Sequence, residues 1–155
     1  MSCTWLITGG AGFIGSHLVE AVLARGDAAV VLDDCSTGSL ANLAAVAGHP
    51  RLTVLRGSVC DDLLVDEAMA RADRVVHLAA AVGVMRILER RVGSITVNLR
   101  GTETVLRAAS AHGGKPVFLA SSSEVYGKSA AVPFREDGDC VLGPPSLHRW
   151  SYAGS

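Results

Sequence analysis

Three glycines spaced by three, Gly9, Gly12 and Gly15, follow directly on the run Thr4-Trp5-Leu6-Ile7-Thr8. Glycines in that pattern are suited to cradling phosphate. Gly9 lets the chain turn sharply, Gly12 leaves room for a pyrophosphate to approach the backbone, and Gly15 lets a following helix pack against the strand. The helix N-terminus then offers unpaired N–H groups and a positive dipole end to the anion. A glycine pattern alone is weak evidence. Here a strand precedes it, a helix follows, and an acid ends the next strand. That acid is Asp33, 18 residues after Gly15, close to the spacing of about 20 expected of a ribose-binding carboxylate. A carboxylate there accepts both ribose hydroxyls of an adenosine and repels a 2′-phosphate, which favours NAD over NADP. Asp34 adds a second negative charge, and no Arg or Lys follows until Arg51. Taken alone, Asp34 fits a solvated turn equally well.

These residues need elements to position them. Thr4 to Thr8, Ala28 to Leu32, Leu52 to Leu55, Arg74 to Leu78 and Pro116 to Ala120 read as short buried strands. Between them lie helical stretches: Gly12 to Arg25 with Gly26 just beyond, a short one at Ser39 to Ala47, Asp62 to Arg71, and a long one from about Gly93 to Ala111 closed by Gly113-Gly114. After Gly127 the chain turns loop-like, with Pro133, Pro144 and Pro145. Strands alternating with helices imply βαβ units and a parallel sheet. Near-continuous apolar strands imply helices on both faces. Right-handed crossovers then give an α/β, doubly wound Rossmann sheet of order 3-2-1-4-5.

The chain has 155 residues, which sets the expectation of one domain, residues 1–155. Apolar residues make up 49% and charged residues 19%, a composition that supports a packed core and argues against disorder. The formal net charge of -1 gives no electrostatic footprint for nucleic acid or an anionic membrane. No apolar stretch approaches the roughly 18 residues of a bilayer span, and Met1 to Gly10 carry no basic n-region or cleavage-like site. The four cysteines, Cys3, Cys35, Cys60 and Cys140, form no CxxC pair and have no His at zinc-finger spacing. They read as reduced thiols of a cytoplasmic protein without a metal site.

The glycine spacing after Thr8 resembles that of the extended short-chain dehydrogenase/reductase superfamily, and the likeness continues along the chain. Asp33-Asp34-Cys35-Ser36-Thr37-Gly38 is similar to the family's segment after the second strand. His77-Leu78-Ala79-Ala80 resembles its fourth-strand signature, and Asn98-Leu99-Arg100-Gly101-Thr102 the Asn-x-x-Gly-Thr of its long helix. Ser121-Ser122-Ser123-Glu124-Val125-Tyr126-Gly127 resembles its fifth-strand active-site segment, and Arg149-Trp150-Ser151-Tyr152-Ala153-Gly154-Ser155 the start of its Tyr-x-x-x-Lys helix. The resemblance implies NAD held by Gly9, Gly12, Phe13, Ile14 and Gly15, by Asp33, Asp34, Ser36, Thr37 and Gly38, by Ser58 and Val59 at the adenine, and by Leu78, Ala79, Ala80, Asn98, Ala120 and Tyr152. The family often has an acid where Ser58 stands. Ser155 falls just before the position of the motif's lysine, so the chain resembles the cofactor-binding half of a longer enzyme whose C-terminal substrate-binding part is absent.

The resemblance also implies a nucleotide-sugar substrate and a catalytic set of Ser122, Glu124 and Tyr152. Tyr152 is the base and Ser122 bridges it to the sugar hydroxyl. Phenol, with a pKa of about 10, needs nearby positive charge to act at neutral pH. Glu124 is the informative residue. Epimerases of the family commonly carry a small or hydroxyl residue there, whereas UDP-glucuronate decarboxylases and 4,6-dehydratases carry a carboxylate. Dehydratases usually place an Asp before it; Ser123 fits the Ser-Glu pair of the decarboxylases better. The expectation is therefore an NAD-dependent, UDP-glucuronate decarboxylase-like enzyme working through a 4-keto sugar. A 4-epimerase, a 4,6-dehydratase and a non-catalytic dinucleotide-binding fragment are the alternatives. Tyr126 and His77 read as structural, Arg86, Arg90 and Arg91 as a solvated face or as substrate contacts, and Gly101 as a point of close packing against the sheet. The long helix, by the same resemblance, forms a homodimer interface.

Overall fold

Each of the five apolar runs becomes a strand: Thr4–Thr8 (β1), Ala28–Asp33 (β2), Leu52–Arg56 (β3), Arg74–His77 (β4) and Val117–Leu119 (β5). They pair in the order β3-β2-β1-β4-β5, every pair parallel. The computed structural model describes residues 2–81, 91–130, 132–144, 146–147 and 150–154, with only the backbone of Arg91, Ser151 and Tyr152. Arg86, Arg90, Pro145, Arg149 and Ser155 lie outside the described residues.

Side chains alternate across a strand, and here both faces are apolar. Leu6, Val30, Leu32 and Val75 enter one core with Val65, Ala68 and Met69 of helix α2 (Asp62–Ala70) and Val105, Ala108 and Ala109 of helix α3 (Arg91–Ala111). Ile7, Ala29 and Val31 enter the other with Val19, Val22 and Leu23 of helix α1 (Phe13–Ala24). The three-layer expectation follows from this two-sided burial.

The helix ends are held by polar contacts. The N–H of Gly26 donates to the Leu23 carbonyl and that of Asp27 to the Val22 carbonyl, a Schellman closure of α1. The Asp61 carboxylate caps α2 by accepting from the N–H groups of Leu63 and Leu64. At the other end of α2, Lys115 Nζ donates to the carbonyls of Met69 and Ala72, both at 2.6 Å. Asp62 ties α2 to α3 through Thr104 Oγ1 at 3.1 Å and the Arg107 guanidinium. Where β1 and β2 begin, the Asp27 carboxyl is held below its ordinary range. The Cys3 N–H is the main cause, then the Trp5 indole N–H, with Arg25 adding charge.

Three expectations shift in detail. Leu40–Val46 is a 3-10 helix capped by Ser39 rather than an α-helix, and β5 keeps three residues of the expected five. Pro116 has no N–H to give a ladder, though its carbonyl still accepts from Val75. Gly101 corrects the reading of sheet contact. A Cβ there would stand 2.6 Å from Cγ2 of Val59, so the missing side chain admits the loop after β3, not the sheet.

No helix among the described residues is long and apolar enough to cross a membrane. The four cysteines are all free thiols.

His77, at the end of β4, is almost fully buried, as its structural reading requires. Burial pushes its pKa from 6.5 down to about 4. The folded protein therefore holds a neutral imidazole that the unfolded chain protonates below pH 6.5. That contribution is complete above pH 6.5 and is lost progressively as pH falls to about 4. It amounts to about 3 kcal/mol over the window. Urea unfolding across that pH range should show this loss, and His77→Asn should flatten it. Equal slopes in the two proteins would contradict the assignment.

Candidate dinucleotide site

The strand order reverses at β1, and ligands of open α/β sheets bind outside the carboxyl ends of the strands at such a point. A cleft of about 860 Å³ opens there. Its floor is the glycine turn. Gly9 has φ +71°, a left-handed conformation in which a side chain is strained, and a Cβ on it would stand 2.9 Å from the Ala79 nitrogen. A Cβ on Gly15 would stand 2.2 Å from the Gly9 carbonyl oxygen. Turn and helix are therefore in backbone contact. Gly12 differs: its φ is -76°, and a Cβ would meet only the Gly9 carbonyl, at 3.2 Å. The space above Gly12 belongs to the cleft, bordered by Phe13 and Ile14, which are 79% and 69% exposed despite being apolar. Two large bare side chains in the first turn of a helix mark a surface suited to a partly apolar ligand.

Asp33 ends β2 on the cleft wall, and its carboxylate already has partners. Oδ2 accepts from the Ala11 N–H at 2.9 Å and Oδ1 from the Cys35 N–H at 2.8 Å. A carboxylate has about four acceptor positions, so each oxygen retains capacity toward the cleft. Asp33 thus fastens the glycine turn as well as facing the ligand space. Asp34 borders the cleft from an exposed turn, with Oδ1 accepting from the Ser36 N–H at 2.8 Å. Sequence reasoning missed Asn42. Its Nδ2 donates to the Ala11 carbonyl at 2.8 Å, beside a second bond from the Ser39 N–H. An Asn in a short helix after an Asp-rich turn carries no signal that would reveal this.

The remaining walls also carry the expected residues. Ser36, Thr37 and Gly38 flank Asp34, and Ser58 and Val59 come from the loop after β3. Leu78, Ala79 and Ala80 extend from β4, with Ala120 beyond β5. Asn98 reaches in from α3, and its Oδ1 accepts the Ala81 N–H at 2.8 Å. Ser94 was not anticipated. It lies one turn before Asn98 on the same helix, buried and lining the cleft, and the four-residue spacing was the available signal.

Ser122 and Glu124 close the far end. Ser122 caps the 3-10 turn Ser123–Tyr126, its Oγ accepting from the Glu124 N–H at 3.3 Å, so hydroxyl and carboxylate share one turn. Tyr126 stacks on Phe134, ring centroids 4.8 Å apart, which suits its structural reading. The backbone of Tyr152 runs in the short helix α4 (Trp150–Ala153), where Ala153 lines the cleft. Among the described residues, no group of three or more His, Cys, Asp or Glu is placed to hold a metal ion.

A glycine turn fit to cradle phosphate, a carboxylate on the second strand and a 3-2-1-4-5 sheet define a dinucleotide-binding domain of the doubly wound α/β class. The sequence pattern of the GDP-mannose 4,6 dehydratase family matches residues 6–153, and the chain belongs to that family. It is 41% identical over 148 residues to a UDP-N-acetyl-alpha-D-glucosaminuronate decarboxylase of Bacillus cytotoxicus, covering 96% of this chain and 45% of that one. The solved structure of DesIV, a dTDP-glucose 4,6-dehydratase from Streptomyces venezuelae with NAD bound, is 36% identical and superposes with a TM-score of 0.85 over 97% of this chain and 48% of that one. A UDP-N-acetylglucosamine 4-epimerase from Methanobrevibacter ruminantium is 27% identical with a TM-score of 0.86, covering 99% and 46%. The chain spans about half the length of the curated relatives it matches.

The two glycines make opposite demands on experiment. Gly15→Ala forces backbone apart and should destabilise the fold by about 1–3 kcal/mol, the cost of overpacking. Gly12→Ala, an N-cap change that crowds only the Gly9 carbonyl at 3.2 Å, should lose less stability than Gly15→Ala yet bind NAD at least about tenfold more weakly, about 1.4 kcal/mol. Denaturation and calorimetric titration of both variants check this. Equal NAD affinity in Gly12→Ala and wild type would remove Gly12 from the site.

Proposed function

We propose that the protein is an NAD-dependent, nucleotide-sugar-modifying enzyme that works through a 4-keto intermediate, with UDP-glucuronate decarboxylation as the reaction its residues suit best. The observation that carries this reading is Glu124, a carboxylate on the rim of the dinucleotide cleft, on the same turn as Ser122. The cleft suits NAD for reasons independent of kinship. It joins a helix N-terminus that no side chain caps, a carboxylate at the ribose position and an apolar first helical turn. Gly9, Gly12, Phe13, Ile14 and Gly15 would hold the pyrophosphate side. Asp33, Asp34, Ser36, Thr37 and Gly38 would hold the adenosine ribose, with Ser58 and Val59 at the adenine. Leu78, Ala79, Ala80, Asn98 and Ala120 would flank the rest.

The bound dinucleotide supplies a hydride acceptor for C4 of the sugar. The chain's own residues manage the protons. Tyr152 takes the proton of the 4-hydroxyl, and Ser122 orients that hydroxyl and relays to the phenol. The resulting 4-keto group makes a carboxylate at C5 a β-keto acid; as carbon dioxide leaves, the electron pair of the broken bond passes to the C4 oxygen as an enolate, Glu124 supplies the proton that C5 then takes up, and Tyr152 gives its proton back to the C4 oxygen as the hydride returns to C4. A plain epimerase needs no carboxylate at this point, since hydride transfer and ring rotation suffice. Val92, Leu99 and Leu106, exposed at seven-residue intervals along α3, support the reading of that helix as a homodimer interface.

The carboxylates at Asp33 and Asp34 should make NAD bind at least about tenfold more tightly than NADP. Equal calorimetric affinities would sink the ribose assignment.

The chemistry is tested in the complete protein with a panel of nucleotide sugars. Tyr152→Phe should abolish NADH formation, because no base remains to start hydride transfer. Glu124→Gln should still form NADH on mixing, while turnover falls by roughly 10²–10⁴-fold and a 4-keto sugar accumulates. Near-normal turnover would reduce Glu124 to a loop-ordering residue. Inversion at C4 without release of carbon dioxide would establish an epimerase, and release of water instead a dehydratase.

A further inference from the structure

The hydroxyl of Thr8 joins two walls of the cleft. Thr8 is the last residue of β1, fully buried, and directly precedes the glycine turn. Its Oγ1 accepts from the Ala79 N–H at 3.2 Å and lies 2.6 Å from His77 Nδ1. The other ring nitrogen, Nε2, lies 3.3 Å from Thr102 Oγ1 on α3. Proton counting sets the direction. A threonine hydroxyl offers one proton and two acceptor positions; Oγ1 already receives the Ala79 N–H, and giving its own proton to Nδ1 is the arrangement that leaves neither that buried proton nor Nδ1 without a partner. Nε2 then carries the ring proton and donates to Thr102. Every group is satisfied in one arrangement, and the neutral ring that burial enforces is the state it requires.

This chain of bonds ends where the ligand would lie. Ala79 borders the cleft and is also the backbone against which Gly9 presses. The Leu78 N–H donates to the Thr8 carbonyl at 3.1 Å, so two bonds from one threonine set the distance between the glycine turn and the segment after β4. A core that needed only volume would be served by valine at position 8 and an apolar residue at 77, since buried polar groups add stability only when fully satisfied.

We propose that Thr8, His77 and Thr102 form a positioning relay that fixes the Leu78–Ala80 segment against the glycine turn and so sets the width of the dinucleotide cleft. Thr8 acts on the ligand through the backbone it places, while His77 and Thr102 also border the cleft themselves, and the relay rests on the reading of this cleft as an NAD site. Thr8→Val keeps the shape of the side chain and removes the hydroxyl, and Thr8→Ser keeps the hydroxyl. Thr102→Val and Thr102→Ser break and preserve the other end, and they decide the matter if Thr8→Val does not fold.

The complete protein is titrated with NAD, unfolded in urea and examined by ¹⁵N NMR of the imidazoles. In wild type, His77 should carry its proton on Nε2. Thr8→Val should disturb that tautomer. Either valine variant, still folded, should bind NAD roughly 10–100-fold more weakly, the size expected when a buried polar partner is removed. The serine variants should recover most of the affinity. Folded valine variants with wild-type NAD affinity, whatever their urea midpoints, would overturn the relay and leave the cofactor reading intact. Failure of the wild type to bind NAD would remove the cofactor reading, and the relay with it.

Discussion

The Ala11 amide and the Asp33 carboxylate form the contact on which the cleft depends. A tight glycine turn has little to hold it, since its residues bring almost no side chain to pack. Here it is clamped from the neighbouring strand. Asp33 takes the Ala11 N–H, and Asn42 with the Ser39 N–H takes the Ala11 carbonyl. Both backbone polar groups of Ala11 are thereby satisfied, and the turn is presented to the ligand in one conformation. The backbone contact between Gly15 and Gly9 supplies the other half of the constraint. The helix N-terminus cannot drift from the strand, so its free N–H groups stay aimed at one place.

Everything else in the domain keeps those few peptide units in register. The two cores on either side of the sheet lock β1 between β2 and β4. Polar bonds then hold α3, which forms one wall of the cleft, against its neighbours. Asp62 binds Thr104 and Arg107 across α2 and α3, and Asn98 holds the chain just past β4. Gly101 lets α3 approach Val59, which brings a helix beside the loop after β3 that borders the cleft. The far end is built differently: Ser122 caps a short turn that carries Glu124. Hydroxyl and carboxylate are therefore held on one short turn beside the cleft.

Much of this was legible in the residues. Strand and helix periods gave the sheet order, because parallel strands covered on both faces must be apolar throughout and right-handed crossovers leave few topologies. The glycine spacing and the acid 18 residues on located the phosphate turn, because backbone contact excludes any other residue type at Gly15. The recognisable segments at Ser122 to Gly127 and at Leu78 to Ala80 placed the remaining walls. Tertiary structure alone decided which partners those residues take. No local pattern announces that Asn42 braces Ala11, that Gly101 makes room for Val59 and not for a strand, or that Lys115 closes α2. Nor could the sequence say that Asp33 divides its carboxylate between the backbone and the cleft, or that His77 is shared by hydroxyls from β1 and α3. Each such contact joins residues tens of positions apart, and its existence depends on distances fixed only when the two cores have packed.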